Sequence, residues 1–251
     1  MKEQPELETK RLVLRPLMAK DDLSVQELAN DPQVAATSLW YMHGAGRKVC
    51  RYWINGTHES WKHGSRAEFA IELKDGGEML GLAGLEGVRT EHASAELTFL
   101  LKVRFWGQGY ATEAASAVVW FGFKRLKLNR ISAILLPANI ASARVLRKLG
   151  MTREGVMREA ARRGDKFEDL VMVSLLRQEW AARTLRATAH SLACKIRTRR
   201  QTGPPQPRPT RWLFPFETRH RASKLPVGGP SGPVGVRPGE GTGRTAVPAA
   251  G

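Results

Sequence analysis

Over roughly the first 180 positions, apolar residues recur at two spacings. Every second residue is apolar in some short runs, and every third or fourth in longer ones, which predicts strands interleaved with helices. Leu12-Val13-Leu14-Arg15 reads as a first strand, and Asp21 and Asp22 precede a helix at about 22–30. Residues 45–63 read as a helical region, with Trp53 and Trp61 eight positions apart. Two strands, 69–73 and 79–88, flank Asp75-Gly76-Gly77, a composition suited to a tight hairpin. A strand at 95–102 leads to a helix at 109–126, and a strand at 130–136 stops at Pro137. Residues 140–149 form a short helix, with Asn139 as its N-cap and Gly150 just past its end. A last hairpin, 156–161 with 167–176, turns about Gly164-Asp165. The hairpins argue against a doubly wound parallel sheet, which needs a helix between nearly every strand pair. The expected class is α/β, with a mixed, mostly antiparallel twisted sheet flanked by helices.

The periodicity then changes. Leu185, Ala189, Leu192 and Ile196 lie on one face of a 3.6-residue period, so 178–200 can continue as a basic helix, with 181–200 outside the domain. Residues 201–251 hold ten of the 14 prolines and nine of the 24 glycines. Such a segment buries too little apolar area to offset its ordering entropy, so a disordered Pro/Gly/Arg-rich tail is expected.

Charge follows the same boundary. The formal net charge is +16, but residues 181–251 carry 13 Lys and Arg against only Glu217 and Glu240. The excess therefore belongs mainly to the tail, and the first 180 residues are only modestly basic. That balance suits an anionic ligand without requiring one. Two cysteines, Cys50 and Cys194, make no disulfide framework, and no Cys/His cluster has metal-ligand spacing. No run approaches 18 apolar residues, and the charged start lacks the apolar centre of a secretion signal. A soluble cytoplasmic protein with no structural metal and no membrane association is expected.

The most informative run is Arg104-Phe-Trp-Gly-Gln-Gly-Tyr-Ala-Thr112. It joins an apolar strand to an apolar-periodic helix, with Arg104, Gly107 and Gly109 in an Arg-x-x-Gly-x-Gly spacing. Glycine lets backbone approach an anion, and the first helical N–H groups point at it. The alternative is a tight strand-to-helix turn with no ligand, since three spaced residues match by chance often.

Four blocks in one order then carry a resemblance: Leu7-Glu-Thr-Lys-Arg-Leu-Val-Leu-Arg-Pro-Leu17, Ala95-Glu-Leu-Thr-Phe-Leu-Leu101, Arg104–Ala115 and Asn139-Ile-Ala-Ser-Ala-Arg-Val-Leu-Arg-Lys-Leu-Gly150. Residues 7–177 resemble the GNAT acetyltransferase superfamily, in its RimJ/RimL-type branch, which includes ribosomal-protein N-terminal acetyltransferases. The resemblance implies the GNAT acyl-CoA N-acyltransferase fold over 7–180, with a sheet splayed near its fourth and fifth strands and acetyl-CoA in the splay. The amides of Gly107 to Ala111, with Arg104 and Gln108, would hold the pyrophosphate. Strand-edge amides near Leu100 and Lys102 would pair with the pantetheine arm, Asn139 and Ser142 lie on its other side, and Tyr110 and Trp106 cover it or simply pack. Glu113 reads as a structural partner of the helix N-terminus.

Acyl transfer from a thioester to an amine needs a neutral amine, a donor for the oxyanion and protonation of the leaving thiolate. Cys50 has no motif around it, so direct attack is expected rather than a covalent enzyme intermediate. Many GNAT enzymes carry a tyrosine acid seven residues after the motif's asparagine, where this chain has Leu146. The branch's candidate acid is instead the serine at position 142, which otherwise serves as an ordinary helix N-terminal residue. Glu96 is the candidate base, or else a solvated or paired strand residue. Asp169 and the histidines at 43, 58 and 63 are weaker candidates on the acceptor side. The acceptor is a primary amine: a protein N-terminus, or a small molecule such as a polyamine, an amino acid or an antibiotic. A rival class makes the chain a nucleic-acid- or ribosome-binding protein through its tail arginines, with Trp212, Phe214 and Phe216 interleaved. The chain is expected to act as a monomer or homodimer.

Overall fold

The computed structural model describes residues 3–39 and 42–185. Its strands are β1 (Leu7–Glu8), β2 (Leu12–Pro16), β3 (Ala67–Leu73), β4 (Met79–Arg89), β5 (Ser94–Leu101), β6 (Arg130–Leu135), β7 (Thr152–Arg163) and β8 (Lys166–Leu176). Its helices are α1 (Asp22–Asn30), α2 (Pro32–Thr37), α3 (Arg47–Lys62), α4 (Tyr110–Lys124) and α5 (Ile140–Leu149). Residues 177–185 add a further helical stretch. The strands form one sheet in the order β1-β2-β3-β4-β5-β6-β8-β7. Every pairing is antiparallel except β5 with β6. That parallel ladder is short: Ser94 pairs with Arg130, Ala95 with Ile131 and Glu96 with Ser132. Beyond Glu96 the two strands part, while β5 stays paired to β4 as far as Leu101. The sheet therefore opens as a V toward the end where β5 runs into α4.

Both faces of the sheet are covered. One core joins Leu12, Leu14, Phe69, Ile71, Leu85 and Leu97 of the sheet to Val118, Phe121 and Phe123 of α4. A second, on the opposite face, joins Ala70 and Leu82 to Val25 and Leu28 of α1 and Cys50, Trp53 and Ile54 of α3. Each such fully buried large side chain contributes about 1.5–3 kcal/mol through removal from water. Trp180 extends the first core, its ring centroid 5.3 Å from that of Phe123. Packing on the first core thus extends at least as far as Trp180.

Most expected elements are present, several with shifted ends. The last hairpin is longer at both arms, and β5 ends at Leu101, where Val103–Phe105 turn as a short 3-10 helix. Helix α2 has no counterpart among the elements the sequence pattern predicts. Its start is nonetheless encoded: Asp31 Oδ1 accepts from the N–H groups of Gln33 (2.8 Å) and Val34 (3.2 Å), with Pro32 in the first turn. Of the expected basic helix at 178–200, residues 178–185 fall within the described residues, where they are helical and Leu185 is exposed. Residues 186–200, the expected disordered tail at 201–251 and Cys194 lie outside the described residues.

Candidate active site

Two glycines with left-handed backbone shape the loop before α4: Gly107 at φ +76° and Gly109 at φ +83°. An L side chain at either position would be strained. Gly109 occupies the N-cap and offers no side-chain oxygen to the helix. The first helical bond at this end runs from Glu113 N–H to Gly109 O, at 3.1 Å. The N–H groups of Tyr110, Ala111 and Thr112 have no acceptor among the described residues. They are uncapped donors at the positive end of a 15-residue helix. Such a cradle fits a phosphate.

Around it, side chains lock the loop. Gln108 Nε2 donates to Arg104 O (2.8 Å) and Trp106 Nε1 donates to Leu101 O (2.8 Å). Arg104 departs from the expected role. Its guanidinium pairs with Glu27 on α1 and Glu78 beside β4, so its charge is spent away from the loop amides. Glu113 holds the loop from the other side. Oε1 accepts from Thr9 Oγ1 (2.7 Å) and Arg11 N–H (2.8 Å), and Oε2 from Arg11 Nε (2.7 Å). Burial would raise its pKa, but the bonds from Thr9 and Arg11 outweigh this and hold it below the usual carboxylate value. Arg11 Nη1 also donates to Gln108 O at 3.1 Å, and its guanidinium carbon lies 4.2 Å from the Tyr110 ring centroid. Tyr110 meets Phe105 edge-on at 6.2 Å. Thr9 and Arg11 were visible only as part of a strand motif, and nothing in their spacing pointed to this loop.

The strand-edge amides require a correction. Lys102 N–H donates to Leu80 O at 2.8 Å, on the β4 side. Backbone groups alternate in direction along an antiparallel strand, so Leu100 faces β4 as well. The amides that face the opening are those of Phe99 and Leu101, one residue earlier in each case. The Lys102 side chain is also committed: it is buried and its Nζ lies 2.7 Å from Glu27. Register decides this, and a single strand's sequence does not carry register.

Glu96 stands at the vertex of the V, on the last paired rung of β5 with β6. On its other side it pairs with Glu86 of β4, and Glu86 is bound to Arg66 at 2.7 Å. Glu96 is half-buried and has no ion-pair partner among the described residues. Burial, then the charge of Glu86, raises its pKa. The same cross-strand row continues through Ser132 to Ser174, whose hydroxyl donates to Glu154 Oε1 at 2.7 Å. One row of polar residues thus crosses the splayed region. One strand away from Glu86, Glu68 is buried, and burial and Glu86 push its carboxyl up to about 8.

At α5 the N-terminus carries a side-chain cap. Asn139 Oδ1 accepts from Ser142 N–H (2.9 Å), and Nδ2 donates to Thr37 O (2.6 Å), tying α5 to the end of α2. The half-buried Ser142 hydroxyl makes no hydrogen bond among the described residues, so capping falls to Asn139 alone. Leu146 is buried in the core, so the position seven residues after Asn139 serves packing here. The minor candidates have structural uses. Asp169 Oδ1 accepts from Glu159 N–H (2.8 Å) at an irregularity in the β7–β8 ladder. His43 Nε2 lies 2.8 Å from Ser38 Oγ, and burial lowers its pKa. Cys50 is buried in the second core, and burial pushes its thiol up. His58 lies on α3 and His63 caps that helix. Among the described residues no group of three or more His, Cys, Asp or Glu is arranged to hold a metal, and no helix is long and apolar enough to cross a membrane.

Residues 11–152 match the acetyltransferase (GNAT) domain family, covering the loop, β5, α4 and α5 together. The chain belongs to the GNAT acetyltransferases. This GNAT protein is 30% identical over 178 residues to the uncharacterized N-acetyltransferase p20 of Bacillus licheniformis, spanning 70% of this chain and 98% of that one. It is 25% identical over 180 residues to spermidine N(1)-acetyltransferase of Escherichia coli K12, spanning 67% of this chain and 88% of that one. Its fold matches that of RimL, a ribosomal L7/L12 alpha-N-protein acetyltransferase solved with coenzyme A. The TM-score is 0.64 at 19% identity, over 68% of this chain and 98% of the other. The chain is an N-acetyltransferase of the family that uses acetyl-CoA, with RimL and RimJ among its structural neighbours.

Proposed function

We propose that the enzyme acetylates a primary amine by direct attack, with a protein N-terminal α-amine as its principal acceptor. One observation carries the reading. The open edge of β5 runs five residues, or about 17 Å, from the half-buried Glu96 to Leu101, and from there the chain passes into the loop that leads to the uncapped amides of α4. Acetyl-CoA, when bound, supplies the acetyl group as an activated thioester. The chain's residues would hold it in three places. Amides of Tyr110, Ala111 and Thr112 take the pyrophosphate. Phe99 and Leu101 offer N–H groups to the pantetheine arm as an added strand would receive them. Ser142, whose hydroxyl has no partner among the described residues, would donate toward the leaving sulfur.

Glu96 would accept the proton of the incoming ammonium. Its pKa, raised by burial and by Glu86, makes it a stronger base than an exposed glutamate. The RimL-like fold supports a protein α-amine. The likeness to spermidine N(1)-acetyltransferase supports a polyamine as the second reading. Turnover with acetyl-CoA against ribosomal N-terminal peptides, spermidine and free amino acids separates them, and no turnover with any amine would defeat both. Glu96→Gln tests the base. The expected loss in kcat/KM is about 100-fold near pH 7. It narrows at about pH 9, where an α-amine is already neutral. A loss independent of pH removes Glu96 from that role.

A further inference from the structure

We propose that Arg11 binds the phosphates of coenzyme A directly, as a cation delivered to the α4 loop by the turn between β1 and β2. The proposal rests on the coenzyme-A reading of that loop and adds to it a residue far away in sequence. Three of its observations are geometric. Arg11 is gripped at its base: its backbone N–H and its Nε both donate to Glu113, at 2.8 and 2.7 Å. Its middle is pressed flat, with the guanidinium stacked over Tyr110 and Nη1 donating to Gln108 O. Its end is aimed at the loop: Nη2 lies 3.5 Å from the point where a Cβ on Gly109 would stand. That nitrogen has no acceptor among the described residues, and the side chain is 40% exposed. The planar fork is thus fixed in position with one edge used and another uncommitted. That arrangement suits arginine for phosphate and would not suit lysine equally well.

Charge supports the same assignment. A phosphate at the loop would meet the carboxylate of Glu113 in the first turn of α4, a repulsive neighbour. Arg11 stands on that carboxylate and faces the loop, so it offsets the repulsion and supplies attraction. The loop's own arginine cannot do this, because Arg104 is bound to Glu27 and Glu78.

Calorimetry of coenzyme A with the full chain tests the proposal, with Arg11→Gln and Arg11→Lys beside the wild type. Pantetheine, which lacks phosphate, serves as the second probe. Arg11→Gln is expected to weaken coenzyme A about 10- to 100-fold. Arg11→Lys should recover part of the loss, and pantetheine affinity should be unchanged in both variants. The variant should also show a shallower dependence of affinity on salt. Equal affinity of wild type and Arg11→Gln for coenzyme A overturns the proposal. So does equal weakening of both probes, which would mark Arg11 as a brace for the loop and nothing more. Failure of the wild type itself to bind coenzyme A would instead strike the reading of the loop.

Discussion

Two helix N-termini, those of α4 and α5, lie on the same side of the sheet and are built in opposite ways. The α5 end is capped from within, since Asn139 accepts from Ser142 N–H and also holds Thr37. The α4 end has a left-handed glycine where a capping side chain would stand, and its first amides have no acceptor among the described residues. Yet it is the better braced of the two, through Glu113, Thr9 and Arg11. A helix start can therefore be rigid and still keep its donors for something else. Rigidity comes from contacts behind the first turn, and availability from the absence of a side chain in front of it.

A carboxylate placed at each end should break the symmetry most sharply. Gly109→Asp sets a negative charge and a strained φ of +83° against the loop, and coenzyme A affinity should fall more than about 100-fold by calorimetry. Asn139→Asp keeps an oxygen for Ser142 N–H and loses only the bond to Thr37, so affinity should stay within about threefold. Comparable losses at the two ends would erase the distinction.

Next in size is the brace. Glu113→Gln removes the charged acceptor of three donors and should cost about 1–2 kcal/mol of stability in thermal or urea unfolding. The pH dependence has a definite sign. Glu113 titrates below its unfolded value, so its contribution is complete above the ordinary glutamate pKa and fades as pH falls through the lowered one. The wild-type advantage over Glu113→Gln should close in acid, and a gap that stays constant would mean the charge is not what matters.

Asn139→Ala should cost about 1 kcal/mol, the usual worth of a cap. In a domain of this size that lowers the melting temperature by about 2–4 °C. Ser142→Ala should change stability least, within about 0.5 kcal/mol, because its hydroxyl has no hydrogen-bond partner among the described residues. A kcat reduced with stability intact would then assign that hydroxyl to the reaction. A fall in melting temperature matching that of Asn139→Ala would make it part of the cap.

Elements with strong local signals were legible in the sequence. Helix α5 has its cap, its apolar stripe and its terminal Gly150, and its predicted and observed bounds coincide. Gly107 and Gly109 announced the loop for the same reason: a left-handed backbone needs them. What could not be read was anything set by pairing between distant segments. Leu100 and Lys102 face β4 because of register, and Arg104 turns to Glu27 and Glu78, 77 and 26 residues away along the chain. Arg11 reaches Gln108 across 97 residues. The base candidate Glu96 was legible as a strand residue, but its place on the last rung before the opening belongs to the sheet as a whole.

That last rung also has a consequence for solvent exchange. Past Glu96, β5 is paired on one side only, so alternate amides of a single strand live in different worlds. Leu100 and Lys102 are bonded to β4 and should exchange hydrogen for deuterium slowly. Phe99 and Leu101 face the opening and should exchange quickly, although they stand in the middle of an eight-stranded sheet. The strand carries a two-residue rhythm of protection, and a ligand laid along its edge would silence the fast beat and leave the slow one unchanged.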